Sequence, residues 1–226
     1  MTKRKLNRFR ENKEFDHLFE YNYASLRQKA FPLKGRWNQD FFNNELPIVL
    51  ELGCGKGEYT VGLAEWYPKA NFIGMDLKGA RIWRGCKTVE EKRMKNIAFI
   101  RSRVDFLEEF FAENEISEIW ITFPDPQIQS PRRKKRLTSP RFLGHYQKIL
   151  KPGGIIHLKT DNSMFYEYTL NRIKESGSKL LFASEDVYQS DAPEAITSIQ
   201  TFYEQMFLEE GKAIKYLKFK LKQDER

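Results

Sequence analysis

Val49-Leu50-Glu51-Leu52-Gly53-Cys54-Gly55-Lys56-Gly57 is an apolar run that breaks into three alternate glycines. The run begins at Ile48, and its nearly unbroken apolar character predicts a strand covered on both faces. Just beyond the last glycine, Tyr59, Gly62, Leu63 and Trp66 recur at i, i+3, i+4 and i+7, which predicts a helix over 58–66. The stretch therefore reads strand, glycine turn, helix. In open α/β sheets, ligands sit outside the carboxyl ends of strands at such turns. Glycines there admit a ligand close to the backbone, with no Cβ in the way.

The same alternation continues outward. Strands are expected over 71–75, 97–100, 116–122 and 155–160, with helices over 80–94, 104–111 and 142–150. Lys151-Pro152-Gly153-Gly154 reads as a tight turn between the last helix and the last strand. Repeated strand–helix units imply an α/β fold: a Rossmann-like, doubly wound, mostly parallel sheet with helices on both faces. Near the carboxyl end, Leu217, Phe219 and Leu221 alternate with Lys218, Lys220 and Lys222, which predicts a half-buried strand, read here as an edge. Residues 1–46 are polar and flecked with aromatics. The first thirteen carry Lys3, Arg4, Lys5, Arg8, Arg10 and Lys13 against the single acid Glu11. They read as a basic N-terminal arm or accessory segment ahead of a main domain over 47–226; Trp37 reads, like Trp66, Trp83 and Trp120, as mostly core, with stacking on a base as its alternative.

Composition narrows the class. The chain has 226 residues, and its 40% apolar content suffices for a core. A formal charge of +8 favours polyanionic partners. No apolar run approaches the roughly 18 residues of a membrane span, and the start Met1-Thr2-Lys3-Arg4-Lys5 opens no signal-peptide apolar region. Cys54 and Cys86 alone provide neither a disulfide framework nor a zinc cluster. The expectation is a cytoplasmic protein without membrane or metal, monomer or homodimer. His17, His145 and His157 show no spacing for a triad or a metal; His157 reads as a satisfied core residue, and Cys54 as a space-filler.

The glycine pattern G-x-G-x-G departs from the dinucleotide pattern G-x-G-x-x-G, because position 58 is Glu. An acid in the first helical turn is a poor neighbour for a pyrophosphate at the helix N-terminus. Glu51 is instead placed to meet a ligand ammonium group. Asp76 ends the second strand, where an acid accepts hydrogen bonds from ribose hydroxyls. An acid before the turn, three glycines and a ribose acid describe an adenosyl ligand that carries a cation rather than phosphates. S-adenosyl-L-methionine fits.

A second constellation follows the strand at 116–122. In Phe123-Pro124-Asp125-Pro126-Gln127 the two prolines stiffen the loop around Asp125. A rigid acid at the carboxyl end of a strand is a site candidate. The run Arg132, Arg133, Lys134, Lys135 and Arg136 reads as a grip on RNA backbone phosphates.

With these residues in view, the chain resembles the bacterial tRNA (guanine-N7)-methyltransferases, class I enzymes that use S-adenosylmethionine. The likeness runs from about residue 48 to 220 through Leu50–Gly57, Phe72–Asp76, Phe123–Pro126, the basic run, Leu150–Gly154, Leu158-Lys159-Thr160-Asp161 and Thr201-Phe202-Tyr203-Glu204. The resemblance implies methyl transfer to N7 of a guanine in the tRNA variable loop, position 46 in tRNA numbering, to give 7-methylguanosine. It also implies that Glu51, Gly53, Asp76 and Asp125 lie against the cofactor, that Asp125 is the catalytic acid, and that Asp161 and Thr201, Phe202, Tyr203 and Glu204 contact the guanine or its surroundings. The sequence departs from the family at two places. Its usual acid or amide after the third strand is Arg103 here, with Asp105 two residues on, so the adenine contact falls to Asp105 or to a backbone group. The Trp and Lys that follow the reactive loop's second proline are Gln127 and Gln129, which leaves Gln129 at the place of a substrate contact.

Guanine N7 carries a free lone pair, so methylation there removes no proton and needs no strong base. Positioning and electrostatics should dominate. Two other readings compete: a non-catalytic RNA-binding protein on the same fold, and a methyltransferase for another RNA base. Amino-group methylation commonly uses an Asn/Asp-Pro-Pro-aromatic loop, and Asp125-Pro126-Gln127 lacks its second half.

Overall fold

A computed structural model describes residues 3–222; Met1, Thr2 and 223–226 lie outside the described residues. The run Ile48–Leu52 forms β2 with all five residues buried, as a strand covered on both faces demands. By contacts the chain divides into two units, Met1–Ala112 and Glu113–Arg226.

In the first unit, β2 leads through α3 (Glu58–Trp66) to β3 (Asn71–Asp76), then through α4 (Gly79–Lys92) to β4 (Ile97–Arg101). β2, β3 and β4 pair in parallel in that order. A fourth strand, β1 (Leu18–Glu20), pairs in parallel with β4. This unit also holds α1 (Lys3–Glu11), α2 (Tyr23–Gln28), a π-helical turn at Trp37–Phe42 and the short α5 (Leu107–Phe110). The stretch expected as an arm thus supplies a strand and part of the core. Trp37 is fully buried, donates from Nε1 to the Phe110 carbonyl at 3.1 Å, and meets Phe19 and Phe31 at ring distances of 5.3 and 5.5 Å. That burial bears out its reading as core and removes the alternative of stacking on a base. Ahead of it, α1 is fastened to α4: the Arg8 guanidinium lies 4.6 Å from the Trp83 ring, and Trp83 Nε1 donates to Glu11 at 2.6 Å.

The second unit holds β5 (Ile116–Thr122), α6 (Pro140–Ile149), β6 (Leu150–Thr160), α7 (Ser163–Glu175), β7 (Lys179–Ser184), α8 (Glu194–Ser198), α9 (Phe202–Glu209) and β8 (Lys215–Lys220). β5 and β6 are parallel, whereas β8 is antiparallel to β6 and to β7. β8 is therefore an inner strand and β7 the edge, a correction to the expected edge at 217–221. The alternation was read correctly, because Leu217 and Phe219 are buried while Lys218 and Lys220 are partly exposed. Alternation reports which face is wet and is silent about how many neighbours a strand has. Lys151–Gly154 is likewise no separate turn. It lies inside β6 at a shift of register, where Gly153 takes φ +75°.

Candidate active site

The turn after β2 is built from backbone bonds and one carboxylate. Gly53 and Cys54 both donate to the Met75 carbonyl, at 2.7 and 3.1 Å. Asp76, at the end of β3, accepts from the Gly55 N–H at 3.0 Å on one oxygen and from the Lys78 N–H at 2.7 Å on the other. Two of its roughly four acceptor directions remain for a ligand. Gly53 takes φ +77°, and a Cβ there would meet no atom within 4 Å, so its backbone faces open space. Glu51 is buried and accepts the Thr60 hydroxyl from α3. A buried carboxylate beside an open, glycine-lined turn suits an adenosyl group bearing an ammonium, and S-adenosylmethionine fits these residues. Cys54 is buried, and burial pushes its thiol well above the usual range, as a space-filler requires. Arg103 Nε donates to Asp105 Oδ2 at 3.2 Å, so the arginine and the acid two residues on are partners.

In the second unit, Asp125 is exposed on a loop bracketed by two residues with left-handed backbone, Phe123 and Gln127, both at φ +46°. Such conformations cost about 1–3 kcal/mol each outside glycine and persist where surroundings impose them. Asp125 Oδ1 accepts the Gln127 N–H at 2.9 Å, an Asx turn that orients the carboxylate. Gln129 is exposed just before a short 3₁₀ helix, Ser130–Lys135. Arg132, Arg133, Lys134 and Lys135 project from that helix into solvent. Arg136 does not: it is buried, donating to the Pro126 and Gln127 carbonyls. Its expected place in the phosphate grip is corrected on that ground.

Asp161 follows β6, partly buried, 3.9 Å from Lys212 Nζ, and burial pushes its carboxyl up from the ordinary range. The cap of α7 is its neighbour Asn162, whose side chain accepts from the Phe165 N–H at 2.9 Å. Asp161 therefore has no capping duty. Thr201 caps α9, accepting from the Glu204 N–H at 3.2 Å, and Phe202 and Tyr203 face solvent. Glu204 is fully buried. Its Oε1 takes Lys159 Nζ at 2.6 Å and the Tyr188 hydroxyl at 2.9 Å, while Oε2 has no hydrogen-bond partner among the described residues. Lys159 also donates to the Ile196 and Ile199 carbonyls. Burial lowers the lysine and raises the glutamate, and each partner's charge opposes its share of the shift. Sequence reading passed over Lys159, although a lysine within an apolar strand was the available signal. His157 is a satisfied core residue: buried, stacked on Trp120 with ring centres 3.8 Å apart, and bonded to Tyr216 and Glu118 at 2.7 and 3.2 Å. Among the described residues, no cluster of three or more His, Cys, Asp or Glu could hold a metal, and no helix is long and apolar enough to cross a membrane.

Solved structures share this fold. The 16S rRNA methyltransferase KamB aligns over 82% of this chain and 92% of its own, with TM-score 0.63 at 15% identity. A sequence-family model described as a putative methyltransferase matches residues 45–217. A tRNA (guanine-N(7)-)-methyltransferase of Christiangramia forsetii is 51% identical over 98% of this chain and 99% of its own. One of the same name from Bacteroides thetaiotaomicron is 48% identical over 99% and 88%. The chain belongs to the tRNA (guanine-N7)-methyltransferase family.

Proposed function

We propose that this protein methylates N7 of a guanine in tRNA with S-adenosylmethionine as donor, at position 46 of the variable loop. The observation that carries the proposal is nearly full-length identity of about one half to enzymes of that name. When bound, the cofactor supplies an electrophilic methyl on a sulfonium, which N7 takes without losing a proton. Glu51 meets the cofactor ammonium, Gly53 gives its backbone room, and Asp76 takes the ribose hydroxyls. Support for these roles comes from the buried carboxylate, the open face of Gly53 and the spare acceptor directions of Asp76. Arg103 and Asp105 act as a pair at the adenine side.

Asp125 faces the N1–H and N2–H₂ edge of the guanine. Positive charge spreads over the base as N7 is methylated, so a carboxylate there binds the transition state more tightly than the ground state. Asp161 is a second acid toward the base. The segment Thr201–Glu204 contacts the substrate, with Phe202 and Tyr203 offering apolar faces and Gln129 a further polar contact. Arg132, Arg133, Lys134 and Lys135 grip phosphates.

The test is transfer of labelled methyl to an unmodified tRNA transcript, followed by borohydride–aniline cleavage. We expect incorporation and a single cut at the variable-loop guanine. Incorporation without cleavage would mean another atom or base is the target. Cofactor binding without incorporation would favour a non-catalytic RNA-binding protein.

A further inference from the structure

Arg136 closes a run of five basic residues, yet its surroundings differ from those of the other four. It is 4% exposed. Its guanidinium donates from Nε to the Pro126 carbonyl at 3.1 Å and from Nη2 to the Gln127 carbonyl at 3.2 Å. The same group lies 4.4 Å from the centre of the Tyr168 ring on α7. The residues that follow are anchored as well. The Tyr146 hydroxyl donates to the Leu137 carbonyl at 2.8 Å, and the Thr138 and Thr169 hydroxyls bond at 2.8 Å within the interior. Arg136 is thus a fixed post, and its fork spans two successive carbonyls immediately after Asp125.

Those carbonyls belong to the strained part of the loop. Gln127 holds φ +46°, and its N–H is the donor that fixes Asp125 Oδ1. Whatever holds the 126–127 backbone therefore sets the direction of the Asp125 carboxylate. Hydrogen bonds from a charged donor are stronger than neutral ones, and two of them hold a turn that a non-glycine residue otherwise avoids. The planar, multi-donor shape matters too, because a lysine ammonium lacks the rigid fork that matches two fixed acceptors.

We propose that Arg136 is a positioning residue for Asp125: its guanidinium locks the Pro126–Gln127 backbone in the turn that aims the carboxylate, and it takes no part in gripping RNA. This inference rests on the role given to Asp125 above. Arg136 then acts on the rate of the bound complex, whereas the four exposed cations before it act on RNA affinity.

Steady-state methyl transfer by full-length Arg136→Lys and Arg136→Ala tests it, alongside Arg132→Ala/Arg133→Ala/Lys134→Ala/Lys135→Ala in one chain. For both Arg136 variants we expect kcat to fall about a hundredfold, the cost of a misplacement near 1 Å. KM for tRNA and the calorimetric Kd for cofactor should stay near their original values. Millimolar guanidinium should restore part of the kcat of Arg136→Ala and nothing to Asp125→Ala. The fourfold variant should instead raise KM for tRNA. Wild-type kcat in Arg136→Lys would overturn the inference. So would a loss confined to KM for tRNA, or a loss without guanidinium rescue that is accompanied by weakened cofactor binding. If Asp125→Ala itself turned over at the original rate, the reading of Asp125 would be the one to fall.

Discussion

In the proposed site, Asp76 serves both fold and ligand. Its carboxylate already ties the Gly55 and Lys78 amides. Asp76→Ala should therefore weaken cofactor binding twice over, through the lost ribose contact and through a loosened turn. We expect a loss of at least tenfold in Kd, about 1.4 kcal/mol, with Asp76→Asn in between because it keeps one side-chain acceptor. Titration calorimetry checks this. Asp125 is held by the loop on which it sits, through the Gln127 N–H, so the opposite pattern is expected. Asp125→Ala should lower kcat by about 10²–10³, the usual effect of removing one transition-state stabiliser, and leave calorimetric affinity for the cofactor intact. Turnover near the original rate would remove Asp125 from its assigned role.

At the scale of elements, the helices over the first unit's sheet sit close because glycines face one ring. A Cβ added at Gly74 would come within 2.7 Å of the Phe99 ring and 2.8 Å of Thr60 Oγ1; one added at Gly85 would come within 2.7 Å of the same ring. Gly74→Ala should cost about 1–3 kcal/mol in denaturant unfolding, the usual penalty of overpacking. Phe99→Leu in that background should recover part of it, a coupling that a double-mutant cycle measures. Several strands were legible in the sequence. Ile48–Leu52 falls where its apolar run predicted, since a strand buried on both faces shows itself as a nearly unbroken run, and β5 has the expected bounds Ile116–Thr122 although Ser117 and Glu118 are only partly buried. β1 was not legible, because three residues in polar surroundings carry no period. Nor was β7 read, although Leu180-Leu181-Phe182-Ala183 is a short apolar run, too short to separate a strand from a helix by period. The places of Glu51 and Asp76 near the ends of β2 and β3, and of Asp125 just past β5, were legible. Arg136 was misread and Lys159 passed over, because the sequence does not say which cation in a basic run, or in a strand, is turned inward.

The molecule as a whole should lose stability in mild acid. Burial lowers the His157 imidazole below its ordinary 6.5, against the raising effect of Glu118 and together with that of Lys218. Below pH 6.5 the unfolded chain therefore binds a proton that the folded chain refuses. The stabilisation is fully present above pH 6.5 and is lost as the pH falls through the lowered value. Burial acts on His17 in the same sense. Melting temperatures between about pH 5 and 8 should fall on the acid side, and less steeply in His157→Gln, which keeps bonding groups for Tyr216 and Glu118. An identical slope in the variant would assign the acid sensitivity elsewhere. The inner place of β8 has its own consequence for how the protein is made. β7 bonds to β8 alone among the described strands, and β8 follows about 30 residues later in the chain. At ~5–20 residues per second of translation, β7 waits on the order of a few seconds for its partner. During that interval the nascent chain carries Leu180 and Leu181 on an open strand, which makes this segment a site where chaperone capture would compete with misassociation between neighbouring polysomal chains.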